Sequence, residues 1–353
     1  MVSGTPQVAI VGAGFFGFHI AGQLQRTFGD IRIEIFDREA APLLGAGTTN
    51  QCRLHMGFHY PRSGYTIYQS IMGFDRFVAE YSSFLEEVPD NIYAVHNSGL
   101  VSVEEYLAVM NSFHLPYEQI AISDSIFRNP DEIGLAIRVP EKSINVKRLR
   151  SELAERFTGT MHLNSPIDEV DAASGMLRSG RIEYGPFDYI INATYTNPNL
   201  GLPIDKHFAV KWEIAAMVLA KTSLPAGTAV TIMDGPFISV YPAFDGLHTL
   251  SSVFHTPMRR YAEHDYLESD YPRRFDIVQQ EQIAEAIALD VERHLHVKHD
   301  TQALWVTAKT KLATDMGDSR VTEVRSHGRL MSVLCGKLDA VFEASDRILK
   351  EIR

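Results

Sequence analysis

The stretch Val8-Ala9-Ile10-Val11-Gly12-Ala13-Gly14-Phe15-Phe16-Gly17, followed by Ile31-Arg32-Ile33-Glu34-Ile35-Phe36-Asp37, decides the fold. Val8 to Val11 is a short apolar, β-branched run, the pattern of a buried parallel strand. Ile20, Ala21 and Leu24 then recur at helical spacing, and residues 31–37 read as a second strand ending in an acid. Each piece has a physical task. Gly12 makes the tight turn out of the strand, and Gly14 removes a side chain where the backbone must meet a pyrophosphate. Gly17 lets the helix pack closely on the strand. The helix N-terminus presents free N–H groups and a positive dipole end to phosphate. Asp37, 20 residues beyond Gly17, can accept hydrogen bonds from a ribose. The unit predicts a bound dinucleotide.

A chain that binds both a nicotinamide and a flavin needs two such units, and no second strand–GxGxxG–helix follows. Gly45-Ala46-Gly47 does not follow a strand and reads as a loop.

The 353 residues fit two interleaved domains. Hydrophobic residues make up 45% and charged residues 22%, ordinary globular usage. No apolar run reaches the roughly 18 residues of a membrane span. The first residues lack a basic and an apolar leader region, so a cytoplasmic protein is expected. With 33 basic and 44 acidic residues the formal charge is −11, which disfavours nucleic acid. Cys52 and Cys335 cannot make a disulfide framework.

Four spaced segments resemble the FAD-dependent D-amino-acid oxidase superfamily, whose members include glycine, sarcosine and L-2-hydroxyglutarate oxidases. The first is the unit above, with Phe16 and Arg38 joining Gly12, Gly14, Gly17 and Asp37 as cofactor candidates. The second runs from Gly45 to Tyr60. Its Thr48, Thr49 and Asn50 match the family's polar loop near the pyrophosphate and ribityl chain, and His55-Met-Gly57-Phe-His59-Tyr60 is similar to the His-x-Gly-x-x-Tyr stretch of the hydroxyglutarate-oxidase branch. The third, Phe187-Asp-Tyr-Ile-Ile-Asn-Ala193-Thr194, resembles the strand that turns past the cofactor, with Tyr195 where the family has Gly. The fourth is Ser332-Val-Leu-Cys-Gly336-Lys337-Leu338, followed by helical periodicity. It resembles the strand–Gly–helix that closes over the flavin pyrimidine ring, where a helix N-terminus stabilises negative charge.

The resemblance implies FAD as cofactor and an α/β fold. A Rossmann-type FAD-binding domain (residues 1–75, 140–205 and 305–353) would interleave with a substrate domain (76–139 and 206–304) built on a large mixed or antiparallel sheet. Strand alternation in 209–219, 229–233, 237–241 and 247–254 fits that sheet, with turns at Gly235-Pro236 and Asp245-Gly246. Residues 147–157 read as a helix. Residues 275–295 read as a long helix, with Ile283, Ile287, Val291 and Leu295 as its core stripe. His294, His296 and His299 lack metal-ligand spacing, so no metal is expected.

A flavin enzyme binds, orients and tunes, while the cofactor carries the redox chemistry. His55 and His59 are candidate bases, since neutral imidazole suits proton abstraction near neutral pH. If residues 55–59 are extended, both rings share a face and Gly57 leaves room for flavin or substrate. Arg62 could bind an anionic substrate group bidentately. The resemblance adds Arg320 as a carboxylate ligand, and Tyr241 as a hydroxyl facing the substrate. For each, ordinary packing or solvation is the alternative.

The expected activity is oxidation of a C–N or C–OH bond in a small polar, anionic substrate, with electrons passing to oxygen or another acceptor. Three other readings stay open: a non-redox flavoenzyme such as a sugar-ring isomerase, an NAD-dependent dehydrogenase with one Rossmann domain, and a non-catalytic nucleotide-binding protein.

Overall fold

The computed structural model describes residues 5–265, 276–313 and 322–352. The opening strand, Gln7–Val11, lies inside a six-stranded sheet, between Arg32–Phe36 on one side and Tyr189–Asn192 on the other, parallel to both. Leu330–Leu334 continues the parallel set; Thr160–His162 and the antiparallel Glu323–His327 form the edges. A parallel sheet needs cover on both faces, and the alternation of the first strand shows how it is met. Val8 and Ile10 pack with Phe18, Leu24 and Ile348 from the helices Phe15–Phe28 and Val341–Glu351. Ala9 and Val11 point the other way, onto Val170 and Leu177 of a small antiparallel meander. Each fully buried side chain of Val, Leu or Phe size contributes about 1.5–3 kcal/mol.

The second sheet has nine strands and is mixed: Thr228–Met233 runs parallel to Asp90–His96 while its other pairings are antiparallel. Its longest pairing joins Val210–Thr222 to His299–Leu312. The latter strand spans residue 305, the position expected for the return to the cofactor domain. The helix Ile277–His294 covers this sheet through Ala284, Ile287, Ala288 and Val291, close to the expected stripe. Asp245 and Gly246 both have positive φ, as a tight hairpin turn requires.

A third, three-stranded sheet lies at the junction: Arg53–Leu54, Lys142–Ile144 and Leu85–Glu86. Three local readings change. Residues Ala46–Thr48 form a 3-10 turn rather than an open loop. The 147–157 helix ends early, as Val146–Glu152 followed by the 3-10 turn Ala154–Arg156. A helix not expected from the sequence, Gly64–Tyr81, starts at Ser63, whose hydroxyl accepts the Thr66 N–H. No helix among the described residues is long and apolar enough to cross a membrane.

Candidate active site

The strand–turn–helix at residues 11–17 uses its glycines for three different reasons. Gly12 has φ +114°, and a Cβ there would lie 2.6 Å from the Ala193 carbonyl oxygen. A Cβ on Gly17 would lie 2.0 Å from the Gly12 carbonyl oxygen, so the helix can sit on the turn only without one. A Cβ on Gly14 would meet nothing within 4 Å. Gly14 caps the helix with no side-chain hydrogen bond and no acid in the first turn, so the helix end presents its N–H groups to open space. Asp37 stands beside them. Its Oδ2 accepts the Ala13 N–H at 2.6 Å and its Oδ1 the Glu39 N–H at 2.8 Å. Burial raises its carboxyl pKa against the pull of those two donors.

That open space is the end of a cavity of about 850 Å³ between the carboxyl ends of the parallel strands and the nine-stranded sheet. Gly12, Gly14, Phe16, Asp37 and Arg38 line one end of it. Thr49, Asn50, Ala193, Thr194, Gly336, Lys337 and Leu338 also border it. Gly17 lies behind the wall, packed on Gly12. Thr48 departs from its expected place. It is buried, its hydroxyl donates to the Leu43 carbonyl and accepts from Arg150 at 3.0 Å, and it does not reach the cavity. The 3-10 turn explains this, because it rolls Thr48 inward. Tyr195 lines the cavity with φ +64°, the left-handed conformation that glycine adopts freely. The backbone course that the family's glycine would favour is thus kept by a tyrosine.

The segment from His55 to Arg62 is not extended. Gly57 has φ +122°, and the Tyr60 N–H donates to the Gly57 carbonyl at 3.0 Å, forming a turn. A Cβ on Gly57 would lie 2.9 Å from Ile67 Cγ2, so this glycine serves the approach of the helix Gly64–Tyr81, not of a ligand. The turn still brings the two imidazoles together: their ring centroids are 5.5 Å apart and both residues line the cavity.

The other catalytic candidates fare differently. Arg62 Nε donates to Asp234 Oδ2 at 2.5 Å, outside the cavity. A turn reverses the chain before residue 62, so its side chain leaves the site. Tyr241 is fully buried below the cavity floor; its hydroxyl donates to the Lys142 carbonyl at 3.1 Å, and its ring carries the Arg53 guanidinium at 4.1 Å. Tyr241 shares its strand face with Ser239, but Ser239 lines the cavity while Tyr241 lies beneath the Arg53 guanidinium. Arg320 lies outside the described residues.

Two polar groups were not anticipated from sequence. Arg53 is buried, borders the cavity, and donates to Tyr93 Oη, Thr231 Oγ1 and Ser239 Oγ, each at 2.7 Å. Tyr93 in turn donates to Glu141 Oε2 at 2.7 Å, and Glu141 Oε1 accepts the Met56 N–H at 2.8 Å. His55 Nδ1 lies 3.6 Å from the same Oε1, beyond hydrogen-bond range, and has no hydrogen-bond partner. Burial pushes the His55 pKa below its usual range, more strongly than Glu141 raises it. Burial alone would raise the Glu141 carboxyl, but His55, Arg53 and the Tyr93 hydroxyl hold it below the usual carboxylate range. Lys337, also buried, pairs with Asp339 at 2.8 Å, donates to Ser70 and lies over the Tyr60 ring. Lys337 was foreseen as a backbone neighbour of the cofactor; its buried ion pair was not. The only signal for the first group was an arginine inside the polar segment before His55. Nothing local marks Glu141.

The chain is 32% identical over 355 residues to FAD-dependent monooxygenase FPY4 of Fusarium mangiferae, covering 98% of this chain and 90% of that protein. It is 27% identical over 263 residues to FAD-dependent monooxygenase kojA of Aspergillus flavus, covering 68% of this chain and 58% of that one. No family model matches it. Similar solved structures include glycine oxidase from Geobacillus kaustophilus, with TM-score 0.72 and 14% identity over 99% of this chain and 95% of that one. L-α-glycerophosphate oxidase from Mycoplasma pneumoniae, with FAD bound, gives TM-score 0.73 and 12% identity over 98% and 94%. The fold and the relatives agree: this chain belongs to the family of FAD-dependent monooxygenase FPY4 and is an FAD-dependent oxidoreductase with FAD as its cofactor, on the fold of the glycine oxidase and glycerophosphate oxidase structures.

Proposed function

We propose that the enzyme removes a hydride from a C–N or C–OH bond of a small polar, anionic substrate, with His55 as the base and with oxygen or another acceptor reoxidising the flavin. The uncapped helix end and the open side of Gly14 fit a pyrophosphate, and Asp37 fits a ribose hydroxyl. Thr49, Asn50, Ala193 and Thr194 would run along the middle of FAD, with Gly336, Lys337 and Leu338 at its ring. FAD, when bound, supplies the two-electron acceptor.

The observation that carries the base assignment is the His55 environment. Its ring lines the cavity and burial keeps it neutral, while an ionised carboxylate stands behind Nδ1. A neutral imidazole can take the proton of a substrate hydroxyl or amine as the adjacent C–H breaks; the O–H or N–H bond is lost and an N–H bond forms on His55. Arg53 supports an anionic substrate. Its direct partners are hydroxyls, so no carboxylate touching the guanidinium cancels its charge.

Anaerobic mixing of the enzyme with a panel of amino and hydroxy acids tests the reading. His55→Ala is expected to slow flavin reduction by about 10²-fold or more with FAD still bound. The acid limb of the wild-type rate should fall below the ordinary histidine value of about 6.5, because burial, Arg53 and Lys337 oppose protonation more than Glu141 favours it. Rates within about threefold of wild type in His55→Ala would reject the base assignment.

The names of the relatives favour a second reading, monooxygenation. With one dinucleotide unit in the sequence, reducing electrons would come from the substrate or from a freely diffusing donor. Label from ¹⁸O₂ appearing in the organic product would select monooxygenation; label absent from it would select simple oxidation.

A further inference from the structure

Glu141 is an unusual residue for its position. It is 1% exposed, at the junction between the sheets, and its two oxygens already accept from Met56 N–H and Tyr93 Oη–H. A buried carboxylate is costly unless it is hydrogen-bonded and paired. Its cation is Arg53, but the two do not touch; the Tyr93 hydroxyl stands between them, accepting from Arg53 and donating to Glu141. The free side of Oε1 faces His55 Nδ1 at 3.6 Å. Nδ1 is sealed from solvent and lacks a hydrogen-bond partner, so any donor–acceptor bond it makes in the folded enzyme must involve a group already beside it.

We propose that Glu141 is the positioning residue for His55: closing the remaining gap, it holds the proton on Nδ1 and leaves the Nε2 lone pair to face the cavity. This rests on the reading of His55 as the base. The geometry supports it in three ways. A carboxylate acts only as an acceptor, so it selects the tautomer with Nδ1–H. The nitrogen opposite Nδ1 on the ring is then the basic one, on the edge away from Glu141. Hydrogen bonds of catalytic bases are often long before substrate binds and tighten afterwards. Tyr93 and Arg53 fix the carboxylate from behind, so a small movement of the His55 ring closes the gap.

The groups that face His55 are Glu141, Arg53 and Lys337, with the His59 and Tyr60 rings packed beside it. Lys337 is occupied by Asp339 and Arg53 by Tyr93, Thr231 and Ser239. Glu141 is therefore the acceptor within reach of Nδ1.

The test uses the FAD-loaded enzyme with ¹⁵N-labelled histidine, and assigns the His55 signals by their loss in His55→Ala. Wild type should show the Nδ1–H tautomer; the Nε2–H form there would overturn the proposal without need of a Glu141 variant. Glu141→Met, which has no oxygen where Oε1 stands, should shift His55 toward Nε2–H and lower the flavin-reduction rate constant by about tenfold or more, with little change in substrate affinity. In the His55→Ala background the same change should cost less than about twofold, since both act through one ring. A full multiplicative loss on top of His55→Ala, or an unchanged tautomer in Glu141→Met, would overturn the role. If His55→Ala itself leaves reduction unaltered, the base reading has failed; the tautomer measurement still decides whether Glu141 orients the ring.

Discussion

The two ends of the cavity are built on different principles. At the end under the helix N-terminus, Gly12, Gly14, Gly17 and Asp37 all lie within one strand–turn–helix–strand unit, and their partners are one another and the adjacent strand end at Ala193. At the opposite end, His55 meets Glu141 and Arg53 meets Tyr93, Thr231 and Ser239, while Arg62, close by in sequence, leaves the cavity to meet Asp234. Those partners are 40 to nearly 190 residues away along the chain. A local motif states its own geometry; a set of long polar side chains takes its meaning from whatever the fold brings near.

The comparison can be broken at its local end first. Gly17→Val should prevent folding, because its Cβ would lie 2.0 Å from a backbone oxygen that the turn cannot move. Gly14→Val, in a site with nothing within 4 Å, should fold with a normal far-ultraviolet dichroism spectrum yet lose FAD on gel filtration. Retained flavin in Gly14→Val would show that the open side of Gly14 is not where the pyrophosphate lies.

At the other end, Arg62→Ala sharpens the contrast between sequence proximity and spatial placement. Arg62 is only seven residues from His55, yet it pairs with Asp234 outside the cavity, with a side chain 38% exposed. Its loss takes this partner from the buried Asp234 carboxylate and should cost about 1–3 kcal/mol of stability. Substrate KM should stay within about threefold of wild type, and a larger rise would return Arg62 to the substrate site.

The smallest effect is expected at Tyr195. Its φ of +64° costs an L-residue roughly 1–2 kcal/mol, which glycine would recover while adding entropy to the unfolded chain. The Tyr195 hydroxyl donates a long bond, 3.4 Å, to the Thr310 carbonyl. Tyr195→Gly should therefore keep FAD and change the unfolding free energy by less than about 1 kcal/mol. A loss above about 2 kcal/mol in denaturant titration would mean that the ring itself holds the wall.

Much of the fold was legible because burial writes itself as periodicity. The alternation in 209–219 and the four-residue stripe at Ile283, Ile287, Val291 and Leu295 each match an element that packs on the second core. The helix Gly64–Tyr81 was missed although Ser63 caps it, since its buried Thr66, Gln69 and Ser70 blur the apolar stripe. Those polar side chains are buried because they meet partners from the C-terminal segment: Gln69 reaches Thr322 and Glu343, and Lys337 reaches Ser70. The expected extended run at residues 55–59 failed for a related reason. Gly57 marks close approach, as anticipated, but of the Ile67 side chain.

The sequence by itself determined the strand–turn–helix–strand unit, the mixed-sheet architecture and the pair of imidazoles that border the cavity. These depend on backbone conformation and on apolar spacing, which neighbouring residues impose within a few positions. Only the tertiary structure decided which polar side chains share the cavity. It turned Thr48 inward, sent Tyr241 beneath Arg53 and Arg62 out to Asp234, and set Glu141 behind His55. A charged side chain is specified by the partner that offsets its desolvation, and for these residues that partner comes from another strand, helix or turn.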